Sequence, residues 1–295
     1  MSEYQYYEFA AIDRPLKPAE MAKLRAVSTR AEITPVSFVN HYEWGDLKAR
    51  PADWMQRYFD AFVYVANWCS CHLSFRVPLE TFSKAALKFF ATRYALTCKA
   101  TKTHWIIDWS LDESEDYDRF AIDDGSHWMR RLIPLRDELL RGDSRPLYLG
   151  WLAAAARGEL KDTESEPEVP PALASLSPPQ IALVEFLEID ANMLAAAQAG
   201  SARSSSSTGS AARGNRLDAW LKEWSRDEMA AVLKLIAKGE AQAAERQVRS
   251  RHAAWVKVQH PSCESSAPRR TVKQLRELAR SAPKIRPGRK RTKKR

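Results

Sequence analysis

Glycine is scarce, ten residues in 295. Loops that cradle phosphate need closely spaced glycines whose backbone N–H groups approach the ligand. The chain has no Gly-x-Gly-x-x-Gly, no Walker-type loop and no Gly-x-Ser-x-Gly elbow. A backbone phosphate cradle and hydrolase chemistry of the elbow type are therefore not expected. Cysteine is sparse too, with four residues, and the opening Met1-Ser-Glu-Tyr-Gln-Tyr-Tyr-Glu8 lacks the basic, apolar character of a secretory leader. Reduced thiols in a cytoplasmic setting are the expectation, not a disulfide framework. Long apolar runs are absent: the best, Leu147 to Ala156, reaches about half of the ~20 residues a bilayer-spanning helix requires. No membrane partner is expected.

Acid is missing from the last stretch. Arg269 to Arg295 carries thirteen Lys/Arg against the single acid Glu277. Residues 1–200 hold 22 basic and 29 acidic side chains, a net of −7, whereas residues 201–295 hold 24 and 8, a net of +16. A modest total charge thus hides two electrostatically opposite parts, and the asymmetry points to a polyanionic partner.

The elements read as α+β: an N-terminal mixed sheet with helices, then helical segments and a basic tail. Tyr4 to Ile12 is apolar on both alternating faces, the pattern of a strand covered on both sides. A helix over Pro18 to Ser28, a strand over Ile33 to Trp44 and a short helix opened by Pro51 follow. Strands over Phe62 to Trp68, Leu73 to Val77, Tyr94 to Cys98 and His104 to Trp109 surround a helix from Leu79 to Phe90. Residues 1–111 form this sheet domain, and 112–199 a helical layer on it. The layer begins with an acidic loop from Asp112 to Asp124. Gly142 and Gly158 stop two of its helices, and Ser177-Pro-Pro-Gln180 caps another running to Ala199. Residues 200–214, rich in Ser, read as a flexible linker. A small helical module spans 215–282, with capping boxes at Ser225/Glu228 and Thr271/Gln274, and residues 283–295 have no core-forming side chains.

The segments Glu3-Tyr-Gln-Tyr-Tyr-Glu-Phe-Ala-Ala-Ile-Asp-Arg-Pro-Leu16, Arg30 to Phe38, Tyr58 to Trp68 and Leu147 to Leu152 resemble a bacterial family of uncharacterised proteins. The resemblance covers residues 3–152. It implies a genuine N-terminal domain and carries no activity, cofactor or catalytic residue.

The basic segment is the strongest functional signal. Lys273, Arg276 and Arg280, on the polar side of the last helix, extend the cations Lys284, Arg286, Arg289, Lys290, Arg291, Lys293, Lys294 and Arg295. Such a cluster neutralises phosphates and releases counterions, giving sequence-independent, salt-sensitive contact with DNA or RNA. The expected function is a non-enzymatic cytoplasmic binding or adaptor protein. The stripe Leu217, Trp220, Leu221, Trp224 offers a second, protein-binding surface, or else the core of a small self-packed bundle. A pure protein-interaction module with a passive tail is one alternative.

A metal-dependent nuclease is the other, with Glu43, Asp46 and Lys48 first in line and Glu32 or Asp108 as the further acid such chemistry requires. Cys69, Cys71, His72, Cys98 and His104 make the sole metal-like cluster. Its cysteine spacing does not suit zinc, and buried thiols explain it better. Neither a metal nor another cofactor is expected. The aromatic residues Tyr4, Tyr6, Tyr7, Phe9, Trp44, Trp68, Trp105 and Trp109 read as sheet core ahead of a stacking platform for bases.

Overall fold

A computed structural model describes residues 3–112, 125–205, 218–259 and 269–281. Its centre is a seven-stranded antiparallel sheet, so the fold is α+β. The strands are β1 (Gln5–Ala10), β2 (Glu32–Thr34), β3 (Ser37–Tyr42), β4 (Ala61–Ala66), β5 (Cys71–Pro78), β6 (Leu96–Ala100) and β7 (His104–Leu111). Their order across the sheet is β2-β3-β1-β4-β5-β7-β6. The single strand expected over Ile33 to Trp44 is two. Pro35 supplies no N–H for a ladder, and Thr34 Oγ1 accepts from Val36 N at 3.2 Å, so the chain turns and β2 pairs back on β3.

Successive strand residues point to opposite faces, and helices cover both. Tyr6, Val63, Val65, Leu73, Phe75, Ile107 and Trp109 face the larger core. Over it lie α3 (Lys84–Phe90), α4 (Trp128–Leu132), α5 (Pro134–Leu140), α6 (Arg145–Ala156), α7 (Pro178–Phe186) and α8 (Ala191–Ser205). Tyr7, Phe9, Phe38 and Phe62 face the smaller core. There they meet Leu24 of α1 (Pro18–Val27) and Trp54 and Met55 of α2 (Pro51–Arg57). Strand β1, central and covered twice, is apolar on both faces for that reason.

Helix α6 is buried almost all round and crosses the sheet at Trp109. A Cβ on Gly150 would stand 2.8 Å from Trp109 Cδ1, so glycine is required at that crossing. The same indole donates from Nε1 to Pro146 O at 3.0 Å. Gly142 and Gly158 take positive φ just beyond α5 and α6 and end them. The helix expected from Ser177 to Ala199 is broken. Glu188 adopts φ +49, and Asp190 Oδ1 accepts from Asn192 N and Met193 N at 2.9 and 3.1 Å, which caps α8 afresh.

Beyond α8, residues 218–222 are helical, and α9 (Arg226–Ala237) and α10 (Ala241–Gln259) pack with them. Their small core is Trp220, Trp224, Val232 and Ala244. The last helix, α11 (Val272–Ser281), does not join that unit. Its stripe Val272, Leu275, Ala279 enters the larger core against α6 and α8. Residues 215–282, grouped in sequence as one module, thus sort into two packing units. Helix α8 runs into the Ser-rich stretch as far as Ser205. The rest of that stretch, the acidic run 113–124 and the segment 282–295 lie outside the described residues.

Candidate functional sites: the root of the basic segment and a tryptophan cavity

The root of the basic segment is anchored by chain that local patterning does not reveal. Ser165 and Thr271 form an antiparallel bridge, and Val272 N donates to Glu164 O at 2.9 Å. Arg270 grips the buried Glu166 carboxylate from two sides, Nε to Oε2 at 2.6 Å and Nη2 to Oε1 at 2.8 Å. Its third nitrogen donates to Ala196 O at 2.8 Å. The Tyr148 hydroxyl donates to the same carboxylate. Burial pushes the Tyr148 phenol well above its ordinary value, and the Glu166 charge adds to the shift. Thr271 and Gln274 then exchange the two hydrogen bonds of a capping box, opening α11 as its sequence indicates.

The cations of α11 divide. Arg276, read from sequence as a phosphate contact, is an internal tie. It donates to Ala155 O at 2.9 Å, to Leu160 O at 3.1 Å and to the Asp162 carboxylate. The Ala155 carbonyl lies in the last turn of α6, where the negative end of the helix dipole favours a cation. Lys273 and Arg280 are exposed. Arg157, Arg276 and Arg280 border a cleft of about 570 Å³ between the end of α6 and the start of α8, with Asp190 the one acid on its wall. Lys284, Arg286, Arg289, Lys290, Arg291, Lys293, Lys294 and Arg295 lie outside the described residues.

Trp220 and Trp224 are 2% and 8% exposed and pack edge to face at 5.0 Å, so they form the core of the small unit rather than an open stripe. The sequence reading missed two aromatic partners. His252 meets the Trp220 ring at 4.9 Å and stacks on Trp255, which donates from Nε1 to Glu223 Oε2 at 2.8 Å. Their three-residue spacing on α10 is the signal that could have found them. Arg251 lies 4.5 Å over the Trp224 ring. Between these groups is a cavity of about 290 Å³. The Trp224 N–H, although buried, has no acceptor.

The other sequence candidates are not brought together. Glu43, Asp46 and Lys48 are exposed beyond β3, and the Asp46 carboxylate accepts from Gln5 Nε2 at 2.8 Å. Burial pushes the nearby Tyr7 phenol up to about 12, with the Asp46 charge adding to it. Asp108 sits on β7, three strands from β1, or roughly 14 Å at ordinary strand spacing. It accepts from the Ser74 hydroxyl, and its carboxyl is pushed up by burial. Glu32 pairs with Val39 and occupies the opposite face of the sheet.

The cysteines diverge as well. Cys69 lies in the β4–β5 turn at φ +72, and Cys71 Sγ donates to Phe186 O. Cys71 pairs with Leu111 and Cys98 with Ile107, four residues or about 13 Å apart along β7. His72 and His104 point to the face opposite Cys71. Burial pushes the Cys98 thiol up to about 12. Among the described residues, no group of three or more His, Cys, Asp or Glu is placed to hold a metal ion, and no helix is long and apolar enough to cross a membrane.

The aromatic sheet residues are mostly core. Tyr6, Tyr7, Phe9, Trp105 and Trp109 are buried, whereas Trp44 is 74% exposed. No protein family, no curated protein and no solved structure matches the chain.

Proposed function

We propose that this chain is a non-enzymatic binding protein that contacts DNA or RNA through phosphates, using the basic segment that follows α11. One observation carries the reading. The segment 282–295, with eight cations and no acid, departs from a helix stitched into the larger core by Val272, Leu275 and Ala279 and by the Arg270–Glu166 pair. The chain therefore enters that segment from a fixed point on the larger core. Exposed Lys273 and Arg280 extend that charge onto the body. Binding of this kind releases counterions, is indifferent to base sequence and weakens steeply with salt.

The acidic body supports an adaptor role. Residues 1–200 carry a net of −7, which disfavours wrapping of a polyanion around the domain and confines contact to the basic end. The test is binding of mixed DNA and RNA by the whole chain and by residues 1–282, titrated against salt. Tight, salt-steep binding by the whole chain alone is expected, and unchanged binding after truncation overturns the reading.

A further inference from the structure

We propose that the exposed face of α9 is the docking surface for a second copy of this chain, the two α9 helices packing antiparallel about a two-fold axis near Leu233. The helix shows one side to its own unit and another to solvent. Val232 is buried, and Leu235 packs against the small core of Trp220 and Trp224. Met229, Leu233 and Ile236 recur at i, i+4 and i+7, the spacing of a single helix face. They are 40%, 63% and 51% exposed. Apolar side chains standing singly on a surface are ordinary, but a row of them along one helix marks a contact surface.

The charges at the ends of this row select the occupant. Arg226 stands three residues before Met229 and Glu240 four after Ile236, so the row begins on a cation and ends on an acid. Both are exposed, and neither takes part in an ion pair among the described residues. A two-fold axis at Leu233 sets Arg226 of each copy toward Glu240 of the other and brings Met229 beside Ile236. The rest of the helix agrees. Its first turn carries Asp227 and Glu228 and its last turn Lys234, so antiparallel packing brings acidic turns to basic ones and opposes the two helix dipoles. Parallel packing would set like charges together. A second copy satisfies both ends at once, by symmetry.

Helix α9 has twelve residues, or about 18 Å of length. The contact therefore falls at the low end of interface sizes, below about 1,200 Å², and the dimer is weak and reversible. Such a dimer carries two basic segments, which raises affinity for a long polyanion through effective concentration. That consequence rests on the phosphate reading above, and the dimer itself does not.

The test is the mass of the whole chain, free of nucleic acid, by sedimentation equilibrium over a wide range of protein concentration. A reversible monomer–dimer equilibrium is expected. Leu233→Glu, at a position that already faces solvent, should weaken it at least about tenfold by placing two carboxylates at the axis. Arg226→Glu should weaken it about threefold through like charges at both ends of the contact, and combining it with Glu240→Arg should restore it. Far-UV circular dichroism establishes that each variant keeps its helices.

The mass of one chain at every concentration overturns the proposal. A dimer indifferent to Leu233→Glu, or one that the paired charge reversal fails to rescue, uses another face and overturns it too. Where Leu233→Glu unsettles α9, the charge variants, both at exposed positions, decide alone. The phosphate reading stands or falls separately, because no nucleic acid enters the measurement.

Discussion

In the larger domain, buried Trp109 donates its indole proton to Pro146 O at 3.0 Å, and Trp105 shares its own between Leu79 O and Phe82 O at 3.1 and 3.0 Å. In the 218–259 unit, Trp224 is buried to a similar degree and its proton has no acceptor. The difference is one of local packing and not of size alone, since Thr81 Oγ1 and Asn192 Oδ1 in the larger domain are also buried without a hydrogen-bond partner. The larger core sets both indoles against backbone carbonyls, whereas in the 218–259 unit the few buried side chains, Trp220, Trp224, Val232 and Ala244, leave the Trp224 nitrogen facing none. The larger domain is built to hold one arrangement. The small unit keeps a buried hydrogen-bond donor that no acceptor meets.

The comparison breaks most sharply where the larger domain relies on buried charge. Glu166→Ala removes the partner of Arg270 and Tyr148 and should cost about 3–5 kcal/mol, read by urea unfolding. Asp60→Asn should cost a similar ~3–5 kcal/mol, because the fully buried Asp60 accepts from Ile12 N, Asp13 N and the Arg76 guanidinium.

Asp60 also sets an acid dependence. Burial alone would raise its carboxyl, but the Asp13 and Ile12 N–H groups and the Arg76 and Arg136 charges outweigh burial and hold it below the ordinary value. The unfolded chain then binds the proton more readily than the folded one. Stability from this group is complete above an unfolded value of about 3.9 and is lost as pH falls through the lower folded value. Unfolding titrations below about pH 4 should show a slope in the parent that Asp60→Asn flattens.

Leu275→Ala, in the helix that roots the basic segment, should cost about 2–5 kcal/mol through the cavity left among α6, α8 and α11. Trp109→Phe strands Pro146 O and should cost more than Trp224→Phe by about 1–3 kcal/mol, since the latter forfeits no bond. Equal costs measured by denaturant unfolding would erase the contrast between the two regions.

Local chemistry made much of this architecture legible. The boxes at Ser177/Gln180, Ser225/Glu228 and Thr271/Gln274 each open a helix, and Gly142, Gly158 and Gly239 each follow one. The doubly apolar β1 is a central strand. The errors arose where a single residue overrode the pattern, as Pro35 did in splitting β2 from β3 and Glu188 in ending the helix before α8.

The sites were less legible because their chemistry is long-range. Helical periodicity put Arg276 on the polar side of α11, but nothing local revealed the carbonyls of Ala155 and Leu160 waiting there. Nor could spacing reveal that Arg270 meets Glu166 across 104 residues, which draws α11 onto the larger core. Trp220 and Trp224 were visible as a stripe. The missing acceptor for Trp224 is a property of packing alone.

The decisive measurement is the salt dependence of nucleic-acid affinity for the whole chain beside residues 1–282. The account predicts a steep fall for the whole chain, with log K against log salt approaching about −0.9 per phosphate neutralised on duplex DNA. It predicts weak and nearly flat binding once the basic segment is gone. Equal affinity and equal slope for the two would contradict it.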